Sequence, residues 1–393
     1  MRIIVDARPF ALPLQGGVGR VAQRLIRAYA LEFPQDELVL ATTGWIEPEL
    51  PDDLRLPNVR RCHLKIPNKL WSALAMLGAV SLARAVEKKT GAAEVFFMPN
   101  LGFVGRLPRD MPAVLLLHDL SFLIEPRWFT RKDRLWHHAV GAKHLIRNAA
   151  RLLAVSETTK QDTQRLLGVE ENKIKVIQMG TTLDADGETR EPQFAGRYLL
   201  ALGLGDPRKN AANAIEAVKA LRQEVGFEDL ELVLIGQKNS VILSEALAQS
   251  KDLYQPSVQT TCIKVFRQAQ DDGTRPGRMA CTPTWIHPIA RPSDAELAAL
   301  YSGAAAFLYP SWYEGYGLPL HEAARCGTPC IASTSGALPE TATPGTIFAN
   351  PAKPQHWVQA IKLALTQPKP APPAVMGWEN AAKELNRAFR DRA

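Results

Sequence analysis

The chain lacks any apolar run long enough to cross a bilayer comfortably. Its longest mainly apolar stretch, Leu70 to Val86, is interrupted by Ser72, Ser81 and Arg84 and falls short of the ~20 residues a spanning helix needs, so it reads as a helix that lies on a surface. The opening Met1-Arg-Ile-Ile-Val-Asp6 is a short strand ended by an acid, too short for a signal peptide's apolar region; export is not expected. Cysteine is scarce as well. Cys62, Cys262, Cys281, Cys326 and Cys330 are odd in number and widely spread, which excludes a disulfide framework and the ligand spacing of a zinc site, leaving reduced, structural thiols of a cytosolic protein.

What is present is enough for two cores. A chain of 393 residues with 46% hydrophobic composition exceeds the ~250–300 residues at which single cores stop growing. The charge is lopsided: residues 1 to 183 hold 26 Lys+Arg against 18 Asp+Glu, whereas the other 210 hold 21 against 22. The whole basic excess of the net +7 therefore sits in the first half, as expected where that half meets an anionic surface or ligand.

In that half, strand-like runs (Ile3 to Val5, Leu38 to Ala41, Val95 to Met98, Val114 to Leu117, Leu152 to Val155) alternate with helical patterns, which is the grammar of a doubly wound parallel sheet. After the polar stretch Asp184 to Phe194 the pattern restarts, with strands at Tyr198 to Leu204, Leu230 to Ile235, Thr284 to Ile289, Ala305 to Tyr309 and Pro329 to Ser333. Helices are expected over Asn213 to Val225, Ser293 to Gly303, Leu318 to Arg325 and Gln355 to Leu365. Two α/β domains follow, 1–183 and 190–367, and the cleft between such domains is the natural ligand site. A Pro-rich linker, Pro368 to Pro373, leads to a terminal helical segment, 374–393. Residues 250–283 are polar, turn-rich and aperiodic; they read as a mobile surface insertion without a catalytic role.

Four segments carry chemistry. In Pro310-Ser-Trp-Tyr-Glu-Gly-Tyr-Gly-Leu-Pro-Leu-His-Glu-Ala-Ala-Arg325, Glu314 and Glu322 flank a glycine turn that runs into a helix start marked by Pro319. Carboxylates can grip hydroxyls while the turn's amides grip an anion; the bland alternative is that Glu322 only complements the helix dipole and Glu314 is a solvated loop acid. Leu204-Gly-Asp-Pro-Arg-Lys-Asn210 sets Arg208 and Lys209 at a strand's carboxyl end, equipment that suits a diphosphate leaving group, though such pairs are more often just solvated. Gln15-Gly-Gly-Val-Gly-Arg-Val-Ala22 is a second phosphate cradle, at Gly16 and Gly17, or else an ordinary glycine turn. Its Gly17-x-Gly19-x-x-Ala22 satisfies the dinucleotide pattern, but the long loop before it and the missing acid after the second strand argue against a nicotinamide cofactor. Leu117-His118-Asp119-Leu120-Ser121-Phe122 ends a buried strand in a histidine and an acid, where a satisfied core histidine is the alternative.

Two further stretches have composition rather than pattern. Asp184-Ala-Asp186 mimics a metal clamp, yet two linker acids are usually solvated, and no metal or other cofactor is expected. Arg127 to Trp136, with Lys143, Arg147 and Arg151, interleaves cations and aromatics. That suits an anionic membrane or a lipid diphosphate acceptor, or is a solvated helix face. No nucleic-acid recognition motif accompanies it, and no nucleic-acid partner is expected.

Together the Glu314…Glu322 block and the following Cys326-Gly-Thr-Pro-Cys-Ile-Ala332 resemble the E-x7-E signature of retaining glycosyltransferases of family 4. The R-K-N and H-D-x-S-F stretches and the glycine loop resemble the same family, so the likeness spans both domains at motif level. It implies an α/β GT-B fold: two Rossmann-like domains facing a cleft, the first binding the acceptor and the second the nucleotide-sugar donor, with the terminal helix crossing back to the first. It implies no cofactor, a nucleoside diphosphate sugar as donor, and a lipid-linked or saccharide acceptor in bacterial polysaccharide assembly, with a lean to mannose. Peripheral contact with the inner face of the membrane accords with it.

Residue by residue, the resemblance implies that His118 touches the donor sugar and Asp119 orients it or the acceptor hydroxyl. Glu314 would hold sugar hydroxyls and Glu322 the ribose. Backbone amides at Gly16, Gly17, Tyr316, Gly317 and Leu318 would complete the donor pocket, and Arg208 and Lys209 would receive the departing diphosphate. Gly180-Thr-Thr-Leu-Asp184 departs from the family's usual N-G-V-D, and the insertion precedes a strand that helps hold the base. Alternatives on the same fold are a nucleotide-sugar epimerase, a phosphorylase, or a binding protein without turnover.

Overall fold

The computed structural model describes residues 1–11, 16–183, 194, 196–236, 283–290 and 292–391. Asp184 and Asp186, and the expected insertion up to residue 282, lie outside the described residues. The chain divides into two compact units, Met1–Thr182 with Val375–Ala393, and Leu183–Ala374.

The first unit is built on Arg2–Asp6 (β1), Glu37–Thr43 (β2), Val59–Leu64 (β3), Val95–Met98 (β4), Ala113–Leu117 (β5), Arg151–Ala154 (β6) and Ile174–Val176 (β7). These strands are all parallel, in the order β3-β2-β1-β4-β5-β6-β7. The second unit has Tyr198–Leu204 (β8), Glu231–Gly236 (β9), Ile286–Ala290 (β10), Ala306–Tyr309 (β11), Cys330–Ser333 (β12) and Ile347–Ala349 (β13), again parallel, in the order β10-β9-β8-β11-β12-β13. Every residue of β4, β5, β11 and β12 is buried. A parallel sheet covered on both faces requires such continuous apolar strands. Each sheet reverses its strand order once, between β1 and β4 and between β8 and β11. Loops diverge at such a switch point and leave a crevice at the strands' carboxyl ends. Two doubly wound parallel sheets are what the expected GT-B fold calls for.

The structure corrects one expectation. Leu70 to Val86 is two helices, Asn68–Met76 and Leu82–Thr90. Gly78 adopts φ +63 just past the first, and Ser81 caps the second by accepting the Arg84 amide. A left-handed glycine followed by a serine N-cap is a stop and a restart, hidden here by the apolar residues around it. Neither helix, nor any other among the described residues, is long and apolar enough to cross a membrane.

The helix Glu379–Arg390 lies against Gly17–Glu32 within the first unit. Phe389 sits edge-on to Tyr29 and Phe97, at 5.3 and 5.4 Å between centroids, and Arg390 reaches the buried Asp36 carboxylate at 3.2 Å. Before this helix, the Trp378 indole donates to the Thr181 carbonyl, and a Cβ at Gly180 would stand 2.6 Å from the indole ring. Gly180 is thus a close-approach glycine, and its own place in the departing Gly180–Asp184 stretch has a packing reason: it admits Trp378.

Candidate functional site

In the second unit the switch point brings together two of the motifs that sequence reading singled out. Arg208 and Lys209 lie on the turn Pro207–Lys209 after β8, and Glu314 follows β11. Lys209 Nζ donates to Glu314 Oε1 at 2.6 Å and to the Tyr309 hydroxyl at 2.7 Å, and stands 4.8 Å from the centre of the Tyr309 ring. Only 18% of the lysine side chain and 12% of the glutamate are exposed, so the pair is weakly screened. Burial, together with the Glu314 carboxylate, raises the Tyr309 hydroxyl well above the usual phenol range; it stays protonated and hydrogen-bonded.

Arg208 is held differently. Its guanidinium donates to both oxygens of Asp206, at 3.2 and 2.8 Å, and its backbone N–H donates to Oδ1 as well. Burial alone would push the Asp206 carboxyl up, but the Arg208 bonds and the Lys209 charge outweigh it and the net shift is downward. The Arg208 carbonyl accepts from the Trp312 amide, and the Asn210 amide donates to the Pro310 and Pro351 carbonyls. These bonds tie the loops after β8, β11 and β13 to one another, which is why Asn210 holds a left-handed φ of +54.

Two glycines make this arrangement possible. Gly203 has φ +98, and a Cβ there would fall 2.0 Å from Lys209 Cβ, at the register shift between Leu202 and Leu204 in β8. Gly336 has φ +60 and packs on the Glu314 backbone, with an added Cβ 2.7 Å from its nitrogen; Ala337 donates its N–H to the Glu314 carbonyl. After Glu314 the chain turns through Gly317, at φ +101, into the helix Leu318–Arg325. Tyr316, Gly317 and Leu318 form this helix start; Pro319 in its first turn has no N–H to satisfy, and the Leu320 N–H donates back to the Gly317 carbonyl at 2.9 Å. Glu322 is buried inside the helix at 3% exposure. Beside it, His321 stacks on Tyr316 at 5.2 Å, and burial lowers its pKa.

In the first unit, Gly16 is the N-cap and Gly17 the first residue of the helix Gly17–Glu32. Both are exposed, neither has a positive φ, and among the described residues nothing lies within 4 Å of a Cβ added to either. The protein's own packing does not demand glycine there. His118 and Asp119 follow β5. The His118 Nε2 lies 2.9 Å from the Pro99 carbonyl, just after β4; a carbonyl only accepts, so Nε2 carries the proton and Nδ1 is the acceptor. Burial holds His118 below the usual histidine pKa despite that bond and nearby Asp119. Asp119 accepts from the Ser121 amide and hydroxyl, a local turn that fixes its carboxylate.

Sequence reading missed Asp206, Tyr309 and Gly203. Asp206 could have been found from its place two residues before an arginine in a turn; the other two have no local signal, because what they touch is distant in sequence. Among the described residues no group of three His, Cys, Asp or Glu could hold a metal ion.

Residues 15–185 match the model of Glycosyltransferase Family 4, and residues 286–384 that of Glycosyl transferases group 1. The O-antigen chain mannosyltransferase B of Escherichia coli is 26% identical, over 99% of this chain and all of the relative. Among solved structures, sucrose-phosphate synthase from Thermosynechococcus elongatus superposes with a TM-score of 0.69 at 19% identity, covering 99% of this chain and 98% of that one. Anabaena HepE, solved with UDP and glucose, superposes at 0.57 and 16% identity, covering 99% and 95%.

Proposed function

The chain belongs to the glycosyltransferases, its first part matching Glycosyltransferase Family 4 and its second Glycosyl transferases group 1, and from that premise we propose that it moves a hexose, with retention, from a nucleoside diphosphate sugar to a hydroxyl of a lipid-linked or saccharide acceptor. The end-to-end likeness to an O-antigen mannosyltransferase supports mannose as the sugar and cell-surface polysaccharide as the product. The observation that carries the reading is the Lys209–Glu314 pair, set between β8 and β11 at the sheet's switch point.

In this reading the donor diphosphate lies against Lys209 and Arg208, whose positive charge gains value as the glycosidic bond breaks and negative charge grows on the leaving phosphate. Glu314, at 2.6 Å from the ammonium, has acceptor capacity left for sugar hydroxyls. Glu322 holds the ribose, and the helix-start amides at Tyr316, Gly317 and Leu318 hold phosphate. In the first unit, Gly16 and Gly17 offer open backbone to the diphosphate, His118 Nδ1 accepts from a sugar hydroxyl, and Asp119 orients the acceptor. The leaving phosphate takes the acceptor's proton, so no side chain acts as nucleophile and no metal is required. Peripheral membrane contact is supported by exposed Trp45, Ile46, Leu77 and Leu135 in this lysine- and arginine-rich unit.

The test is calorimetric titration with GDP-, UDP- and ADP-sugars, repeated on Lys209→Ala and Glu322→Ala. One donor should bind, and both variants should lose it. No donor binding, or wild-type turnover in Lys209→Ala, would overturn the reading. Product anomeric configuration by NMR decides retention, and turnover in excess chelator decides the metal.

A further inference from the structure

We propose that a cavity of about 390 Å³ in the first unit binds the phosphate or diphosphate ester group of the acceptor; this rests on the transferase reading above. Its polar lining is Arg134, His137, His138, Lys143 and His144, against an apolar wall that includes Phe122. No carboxylate among the described residues lines it. The nearest acids in sequence are already engaged: Glu125 accepts two bonds from the Arg127 guanidinium, and Asp133 accepts the Thr130 amide and hydroxyl in a capping box. The cavity therefore sets the Arg134 and Lys143 charges together with no acid in its described lining.

The helix that supplies Arg134, His137 and His138 buries little of itself. Of Arg131–Val140 only Val140 is buried, and Leu135 is 67% exposed. Its anchor is His137, whose ring lies flat on Phe122, 4.4 Å away at 4°, and edge-on to Phe129 and Trp136. The left-handed Gly141 then turns the chain, so that Lys143 and His144 on the next helix line the same cavity. His144 Nδ1 faces the Asn148 amide at 3.2 Å, which leaves its Nε2–H as a donor.

Guanidinium, ammonium and imidazole N–H groups over an aromatic and aliphatic floor match an anionic phosphate joined to an apolar body. Phe122 belongs to the His118–Phe122 segment, three residues after Asp119, so a phosphate held here lies next in sequence to the residue assigned to the acceptor hydroxyl.

The experiment uses the full chain and three probes: pyrophosphate, farnesyl diphosphate, and phosphatidylglycerol vesicles with phosphatidylcholine vesicles as control. Soluble probes are titrated calorimetrically and vesicles co-sedimented, on wild type, on Arg134→Gln/Lys143→Gln, and on Lys175→Gln, which removes an exposed charge outside the cavity lining. The expected result is saturable farnesyl diphosphate binding that falls at least tenfold in the double variant and not in Lys175→Gln, without competition from UDP or GDP. If pyrophosphate binds equally well and is lost in the same variant, the site stands and reads the diphosphate alone; if farnesyl diphosphate binds better, it also reads the apolar carrier. Equal affinity in wild type and double variant, competition by UDP or GDP, or binding of vesicles alone overturns the proposal. Diphosphate bound here while no nucleotide sugar binds would sink the transferase reading and leave the pocket intact.

Discussion

Lys209 and Glu314, 105 residues apart, meet at 2.6 Å with Tyr309 within hydrogen-bond reach of the same ammonium. Neither is fully solvated, so removing one strands the other. Lys209→Ala and Glu314→Ala should each lose up to about 3 kcal/mol of stability, and the double variant should lose less than their sum. Denaturant unfolding of the four proteins checks this. In the proposed mechanism each variant also lowers kcat/KM, by roughly 10²–10³-fold for the lysine. Additive stability losses would mean that the pair is not coupled.

Gly203→Ala tests the support beneath that pair. The new methyl would need the space of Lys209 Cβ, and φ +98 strains any L side chain. The variant should lose at least about 1–3 kcal/mol and carry the activity defect of a displaced Lys209, whereas Gly168→Ala, also at positive φ but with open space around it, should lose stability without loss of turnover. Activity and Tm on both variants separate strain from positioning.

Which features were legible in the sequence follows from how local their causes are. The helix Leu318–Arg325 was placed to the residue, because its stop and start residues all lie in one segment. β4 and β8 were equally legible as continuous apolar runs. The edge strands β3, β7 and β13 were not: β3 reads Val-Arg-Arg-Cys-His-Leu with Arg60 and Arg61 exposed, and an edge has no need of apolar residues on both faces. Lys209 was legible as a charge near a strand end, but its partner Tyr309 was visible only as a strand residue. Their contact is made by the β8–β11 pairing across 100 residues, and nothing in either segment encodes the other.

Gly17→Ala distinguishes a ligand-facing glycine from a turn-forming one. With no positive φ and nothing among the described residues within 4 Å of the new methyl, the described packing has no objection to alanine, and alanine is the better helix former by up to about 1 kcal/mol. Tm should hold or rise slightly. Donor KM should rise, because the methyl occupies the space where the proposed diphosphate approaches the backbone. An unchanged KM would remove Gly17 from the donor site.

His118 gives the protein a pH signature with a definite sign. Burial lowers its pKa in the fold, so between that value and the ordinary histidine value near 6.5 the unfolded chain binds a proton that the folded one refuses. Stability must then rise with pH through this window and fall on acidification below about 6.5. His321, also lowered by burial, acts in the same direction. Replacing His118 by Gln keeps a donor for the Pro99 carbonyl and removes the titration. The wild type should therefore lose more stability than His118→Gln between pH 7.5 and 5.5, and His118→Gln/His321→Gln should be flatter still. Denaturant midpoints at the two pH values measure this directly. Identical pH slopes for wild type and His118→Gln would mean that His118 titrates alike in both states, and an Nδ1 that charges freely could not serve as the acceptor for a sugar hydroxyl at mildly acidic pH.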